Sequence, residues 1–296
     1  MTPPLAPAVD DSVSRALAWM TFSSLCFALM AAMVKLAGPV PVITKVFFRD
    51  LVTLGITTGI ALHTRRNPLG PTPYRKRLLL RAVCGVGGVY FYFLALGGLT
   101  LADATLLNKT APFFVAVFAV LILKEPFTPA LIPALVVAFG GALLVIKPSL
   151  GSAALPALAG LVSGLFSGLA YVLVRSLKGK AEPNRIIFTF SLVSCGISLP
   201  FFLLDPPDPT WGQWLALAGT GVFAAGGQFG LTFAYNHGPA SRISIFTYLH
   251  VLFALAVGFV LWGERPDTLS LVGGLLIFGA AVYTHRTGPQ AAKEAR

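Results

Sequence analysis

The chain has 296 residues, of which 56% are hydrophobic and 11% are charged, and its formal net charge is +11. A soluble globular domain carries about 25% charged residues, so these few charges could not cover the surface of a water-soluble protein of this length. The composition excludes a soluble globular protein and predicts a chain whose surface faces a lipid bilayer.

Ten apolar runs follow one another along the sequence. A helix needs about 20 mainly apolar residues to cross the hydrocarbon core, and the breaks between the runs are clusters of Gly, Pro or charged residues. The pattern predicts an all-α membrane protein with ten transmembrane helices. The predicted spans are Arg15–Leu36, Val40–Leu62, Leu78–Leu96, Ala102–Leu123, Ala130–Ile146, Leu155–Leu177, Ile186–Leu204, Trp211–Ala234, Ala240–Trp262 and Leu269–Thr284.

The chain termini are predicted to be short tails. The first residues lack the basic segment of a secretory signal, so residues 1–14 are interpreted as a disordered cytoplasmic tail and the first run as a membrane helix. Residues 287–296 are interpreted as a second cytoplasmic tail. The three cysteines lie within apolar runs without metal-ligand spacing, which predicts buried thiols. Neither a metal nor a cofactor is expected.

The distribution of Lys and Arg predicts the orientation of the chain. With ten spans and a cytoplasmic N-terminus, 16 of the 22 Lys and Arg residues, including Arg81, fall on the cytoplasmic side. Four fall outside, and Arg49 and Lys109 fall within spans. Cytoplasmic loops carry an excess of these residues. We therefore expect a multi-pass inner-membrane protein with both termini in the cytoplasm, and topology rather than nucleic-acid binding accounts for the positive charge.

The two halves of the sequence also match each other. A shift of 139 positions places Glu264 on Glu125 and aligns several apolar residues. Because five spans is an odd number, the second copy enters the bilayer from the opposite side. The pattern predicts two inverted five-helix repeats, residues 15–147 and 148–286. Many secondary transporters have this plan and hold the solute between the repeats near the membrane midplane.

Motifs near the end of each half resemble those of a known family. The first half reads Leu101-Ala-Asp-Ala-Thr-Leu-Leu-Asn-Lys-Thr-Ala-Pro-Phe-Phe and then Leu121-Ile-Leu-Lys-Glu-Pro-Phe, and the second half contains Gly238-Pro-Ala-Ser-Arg and Leu261-Trp-Gly-Glu-Arg. These segments resemble the fourth helix and following turn of the EamA repeat of drug/metabolite transporters. The resemblance implies a ten-helix transporter for a small solute. It does not define the solute, because the superfamily carries amino acids, nucleotide sugars, sugar phosphates and riboflavin.

Lys109 is the strongest candidate for solute binding. It lies near the middle of the fourth predicted span, where a charge costs about 2.5 to 3.5 kcal/mol on insertion scales and therefore indicates a function. The functional interpretation is a cation that faces a central cavity and binds an anionic group of the solute. The alternatives are an ion pair with Asp50 or Asp103, or snorkelling to an interface. Asp103 is six residues away, on another face of the helix.

Other charged and polar residues within the spans are weaker candidates. For Arg49, ligand contact and a structural ion pair remain alternatives. Tyr248 is the repeat counterpart of Lys109, and His250 could couple transport to protons. Pro112 predicts a kink in the fourth span only. The remaining residues predicted to line the cavity are Trp19, Tyr90, Asn108, Tyr171 and Gln228.

These features favour a secondary transporter, with export of a small polar or amphiphilic metabolite as the expected activity. No GxxxxGK[ST] motif is present, so ATP-driven transport by this chain alone is not expected. The alternatives are a channel or a membrane enzyme, but the four histidines are scattered without metal spacing. The expected partners are a small solute and the bilayer. Proton coupling, solute exchange and oligomeric state stay open.

Overall fold

A computed structural model describes residues 9–70, 72–124, 131–146, 154–177, 180–237 and 244–287. The regular elements of these residues are helices. They are α1 (Val9–Leu36), α2 (Val42–His63), α3 (Arg75–Gly98), α4 (Leu101–Asn108), α5 (Ala111–Leu123), α6 (Leu131–Ile146), α7 (Ala154–Ser176), α8 (Pro183–Leu204), α9 (Trp211–His237), a 3₁₀ turn (Ser244–Tyr248), α10 (Leu249–Trp262) and α11 (Thr268–Thr287).

The helices account for the ten predicted spans. In the described part of the chain, α1, α2, α3, the pair α4–α5, α7 and α8 are long and apolar enough to cross a membrane. Shorter apolar helices lie within α6, the 3₁₀ turn with α10, and α11. Helix α9 has 27 residues, enough to cross the hydrocarbon core. The prediction of an all-α membrane protein is confirmed.

Two details differ from the sequence-based prediction. Helix α1 begins at Val9 rather than at Arg15, because no Gly or Pro separates these residues. Residues 9–14 are therefore helical, and residues 1–8 lie outside the described ranges. The fourth span is two helices rather than one, with the break at Lys109 and Thr110.

The packing of the helices has an approximate two-fold symmetry. Helix α1 packs on α9 and α3 on α7, while α2 pairs with α8, α6 with α11, and α4 with α10. If the first five spans are exchanged with the last five, the α1–α9 contact becomes the α7–α3 contact and the other three pairs map onto themselves. The lesser contacts obey the same rule, because α5–α7 exchanges with α10–α1 and α2–α9 with α8–α3. The contacts thus reproduce the repeat seen in the sequence.

An ion pair between Lys35 and Glu264 links α1 to the start of α4, at the end of the bundle where α3 meets α4. Glu264 pairs with Lys35 at the end of α1 and accepts a hydrogen bond from the Leu101 amide at 2.8 Å. The ammonium group of Lys35 also donates to the Leu99 carbonyl oxygen at 3.1 Å. A carboxylate at a helix N-terminus is favourable because the first amides have no partner within the helix. Glu264 thus caps the N-terminus of α4, whereas Glu125, its repeat counterpart, lies outside the described residues.

Candidate solute-binding site at the helix breaks

The fourth span breaks at Lys109, near the middle of the bundle. Pro112 has no backbone N–H, so it cannot donate to the Asn108 carbonyl and the α-helical ladder is interrupted. The bonds next to the break span three residues, from the Thr110 amide to Leu107 at 3.2 Å and from the Phe113 amide to Thr110 at 3.0 Å. The break therefore frees backbone carbonyls from the α-helical ladder in the bundle interior, as in the discontinuous helices of transporters.

Glycines of α7 allow the break to lie directly against that helix. Gly160, Gly164 and Gly168 are spaced four residues apart and share one face of α7. A Cβ atom at Gly164 would lie 2.4 Å from Thr110 Oγ1 and 3.1 Å from the Leu107 carbonyl oxygen. Only glycine fits at this contact, so this small residue lets the two helices approach closely.

The two repeats meet at the break. Tyr248 lies where the 3₁₀ turn ends and α10 begins, so the ninth span changes helical form at the position equivalent to Lys109. The hydroxyl group of Tyr248 donates a hydrogen bond to the Lys109 carbonyl oxygen at 3.3 Å, across 139 residues of sequence. The sequence predicts a kink at Pro112 in the fourth span only, and the structure adds a change of helical form in the ninth span. Residues paired by the sequence repeat are in direct contact.

The ammonium group of Lys109 has no carboxylate partner among the described residues. The ion pairs found there join Lys35 to Glu264, Arg49 to Asp50 and Arg66 to Glu182. Lys109 is partly buried, near the middle of the bundle. Within the described part of the chain, the structure thus contains neither of the ion pairs considered for Lys109.

Polar residues on either side of Lys109 are held in defined positions. Asn108 donates from Nδ2 to Ser163 Oγ at 3.0 Å and to Ser167 Oγ at 3.4 Å, both on α7. His250 is 4% exposed and lies near Lys109. The ring of His250 lies 6.0 Å from that of Phe27 and 6.5 Å from that of Tyr92.

Neither nitrogen of His250 forms a hydrogen bond of good geometry within the described residues, although the Phe27 backbone is close enough to interact. Tyr92, which the sequence interpretation missed, is 6% exposed, and its hydroxyl group lies 2.9 Å from Thr105 Oγ1. Lys109, Asn108, Tyr248 and His250 therefore form one neighbourhood, to which Tyr92 also belongs. We call these five residues the central site.

A second polar cluster lies between α2, α3 and α8. Arg49 is 2% exposed and pairs with the neighbouring Asp50. The second oxygen of Asp50 accepts a hydrogen bond from Ser194 Oγ at 2.5 Å. The guanidinium carbon of Arg49 lies 5.3 Å from the ring centre of Phe190. Of the alternatives for Arg49, the structure contains the ion pair, although with its neighbour rather than with another helix.

Arg81 also belongs to this cluster, contrary to its sequence-based assignment among the cytoplasmic loop charges. It lies in the second turn of α3 and is 8% exposed, with its guanidinium carbon 4.6 Å from the ring centre of Phe190. Gly85 provides the space, since a Cβ there would lie 2.9 Å from the Phe190 ring. Tyr171 is close enough to interact electrostatically with Arg81 and Arg49. The spacing of Arg81, Gly85 and Gly88 on one face of α3 was the available sequence signal.

Trp19 and Tyr90 have ring contacts with residues outside both groups, and Gln228 lies in α9. Trp19 packs against Phe22 and Phe233, with ring centres 5.9 Å and 5.1 Å away. Tyr90 packs edge-on against Phe91, and Gln228 is partly buried in α9. An open surface depression is lined by Pro209, Trp211 and Trp214 at the start of α9 and contains none of the predicted site residues.

Two pseudo-symmetric halves that meet at helix breaks define a two-repeat membrane transporter. Comparison with known families gives the same result. The sequence profile of the EamA-like transporter family matches residues 14–147 and again residues 154–285, so the chain belongs to this family. The resemblance of the motifs is confirmed, and the chain is a multi-pass membrane transporter rather than an enzyme.

Curated relatives cover almost the whole chain. The pseudopaline exporter CntI of Pseudomonas aeruginosa is 33% identical over 288 residues, covering 94% of this chain and 99% of the relative. A riboflavin transporter of Rhizobium johnstonii is 26% identical over 279 residues, covering 90% of each chain. A crystal structure with 16% identity superposes with a TM-score of 0.66 over 96% of this chain and 99% of the other. At that identity the likeness shows the fold alone.

Proposed function

We propose that this chain is a secondary exporter of a small polar or amphiphilic metabolite with an anionic group, such as an amino acid derivative or an organic acid. The ammonium group of Lys109 binds the anionic group, and Tyr248 with neighbouring aromatic rings contacts the rest of the solute. The observation that carries the proposal is an ammonium group at a helix break in the bundle interior, with no carboxylate partner among the described residues.

Several observations support an anionic solute. A charge within the membrane is costly unless it is paired, and Asp50, the rival partner, has both oxygens engaged by Arg49 and Ser194. His250 beside Lys109 adds no negative charge. Export as the direction is supported by the relative named a pseudopaline exporter. Since another relative is named a riboflavin transporter, membership of the family does not identify the solute.

A channel is the second candidate, and carrier behaviour distinguishes the two. A carrier binds its solute in a site that opens to one side at a time, so solute on one side accelerates movement of labelled solute from the other. The helix breaks that meet at Tyr248 and Lys109 favour a carrier. Countertransport in liposomes tests this, because a channel shows no such acceleration.

The proposal is tested by comparing metabolites in the medium and cytosol of cells with and without the protein. We expect at least one anionic metabolite to accumulate in the medium only when the protein is present. A set of exported metabolites that is purely cationic or neutral would contradict the proposal.

We also propose an inner-membrane location with both termini in the cytoplasm, based on the distribution of Lys and Arg. Although Arg81 is buried in α3, the remaining charges still favour this orientation. Reporter fusions after His63, Lys178 and Thr287 should report the cytoplasm, and fusions after Pro148 and Asp208 the outside. A periplasmic reporter at Thr287 would contradict this orientation.

A further inference from the structure

Arg81 carries a buried positive charge, and two of its guanidinium nitrogens lack hydrogen-bond partners among the described residues. Its Nε and Nη1 atoms have no hydrogen-bond partner in the described part of the chain, and neither does Nε of Arg49. Both guanidinium groups pack on the same ring, that of Phe190. Asp50 is close enough to interact with Arg81, but its oxygens are bonded to Arg49 and Ser194. Among the described residues, the cluster therefore has two cations and one carboxylate.

A structural ion pair with Asp50 does not explain why two arginines are buried in this cluster. A buried guanidinium group without acceptors costs free energy, and two adjacent guanidinium groups repel each other. Structural arginines in protein interiors normally have their donors satisfied. A planar guanidinium fork is well suited to carboxylate and phosphate groups. The missing acceptors are those that an anion would supply.

Arg81 and Lys109 lie at different depths in the bundle, as the contacts of their neighbouring residues with α7 show. Helices α3 and α7 are antiparallel, since Gly98 faces Pro156 and Gly88 faces Ser167. Asn108, next to Lys109, also bonds to Ser167. Arg81 precedes Gly88 by seven residues, which corresponds to about 10 Å along the helix axis. Arg81 is therefore displaced from the central site toward the end of the bundle where α2 meets α3.

Tyr171 lies between these two depths. It follows Ser167 by four residues, one turn of α7 toward the Arg81 level. The phenol group of Tyr171 lies near both Arg81 and Arg49. Tyr171 therefore lies in the interval between the arginine cluster and Asn108.

We propose that Arg81, supported by Arg49 and Phe190, is a second anion subsite, and that the exported solute carries two or more acidic groups, one at Lys109 and another at Arg81. This inference rests on the proposed function. The central site binds one carboxylate or phosphate group, and Arg81 binds the other on the side from which α3 begins. In the orientation given above, that side is the cytoplasmic one, from which an exporter is loaded.

The test compares Arg81→Gln with Arg77→Gln in cells that export their own anionic metabolites. Arg77 is exposed and lies one turn earlier on α3, so it is a matched control. We expect Arg81→Gln to reduce export at least tenfold, because one charge-assisted interaction is lost, and Arg77→Gln to match the wild type. Mass spectrometry of the medium should find at least two acidic groups on each metabolite whose export requires the protein.

Thermal unfolding of the purified variants separates binding from folding. Since Arg81 has unpartnered donors beside another cation, Arg81→Gln should unfold at the same temperature as the wild type or higher. Arg81→Lys, which keeps the charge, should retain part of the export. A lower unfolding temperature for Arg81→Gln would make the residue structural and overturn the proposal.

Three further outcomes would overturn the subsite. They are wild-type export by Arg81→Gln, an exported metabolite with a single acidic group, and loss of bound anionic lipid with normal export, which would assign Arg81 to a lipid phosphate. In each case, export by Lys109→Met still tests the proposed function independently of the second subsite. If Lys109→Met loses export while Arg81→Gln retains it, only the second subsite is wrong.

Discussion

Replacing Lys109 by Met should abolish most of the transport while the protein still folds and reaches the membrane in normal amounts. Methionine keeps the approximate length of the side chain and removes its charge. A hydrogen bond to a charged group contributes about 1.5 to 3 kcal/mol, so the loss corresponds to about a 10- to 100-fold decrease in transport. Folding should not suffer, because the ammonium group has no carboxylate partner within the described residues.

Two variants serve as controls for Lys109→Met. Lys124→Met removes an exposed charge after the last turn of α5, at the far end of the same span, and should transport normally. Lys109→Arg keeps the charge and should retain partial transport. Uptake into proteoliposomes and membrane yield are the measurements. Normal transport by Lys109→Met would refute solute binding by this residue, and a collapse of yield would indicate a structural ion pair.

Replacing Gly164 by Ala should destabilise the protein and impair transport. The added Cβ would lie 3.1 Å from the Leu107 carbonyl oxygen and 3.4 Å from the Ala111 amide nitrogen, besides 2.4 Å from Thr110 Oγ1. The side chain of Thr110 can rotate, but the backbone atoms can move only if α7 separates from the break. Overpacking of this kind costs about 1 to 3 kcal/mol.

Gly196→Ala is the matched control for this effect. Gly196 lies within α8, is exposed, and has no atom within 4 Å of the position of a Cβ. Alanine has the higher helix propensity, so this variant should be as stable as the wild type or up to about 1 kcal/mol more stable. Thermal unfolding in detergent measures both changes. Equal stability of Gly164→Ala and Gly196→Ala would contradict the close approach of α7 to the helix break.

Much of the architecture could be predicted from the sequence because the bilayer imposes it. Apolar runs of fixed length define the spans, and a weak repeat of 139 residues correctly paired Lys109 with Tyr248. That pairing was informative because two residues related by a two-fold axis contact each other only where both lie close to that axis. The contact between the Tyr248 hydroxyl group and the Lys109 carbonyl oxygen is such a meeting point.

The details of the site could not be predicted in the same way. The 3₁₀ turn that ends at Tyr248 in the ninth span could not be predicted, because no residue such as Pro112 marks it in the sequence. A 3₁₀ turn depends on the packing around it. Arg81 was grouped with loop charges because it lies near the start of a span, where an arginine side chain normally snorkels to water. Its burial depends on Gly85 and on the Phe190 ring from a distant helix. Such contacts are specified by tertiary packing rather than by local sequence.

The most direct test of the central claim measures whether transport depends on the negative charge of the solute. Once the exported metabolite is identified, its labelled acid and the neutral methyl ester of the group that meets Lys109 are compared in proteoliposomes. The wild type should carry the acid at least tenfold faster than the ester, and Lys109→Met should lose this preference. Equal transport of acid and ester by the wild-type protein would contradict the account.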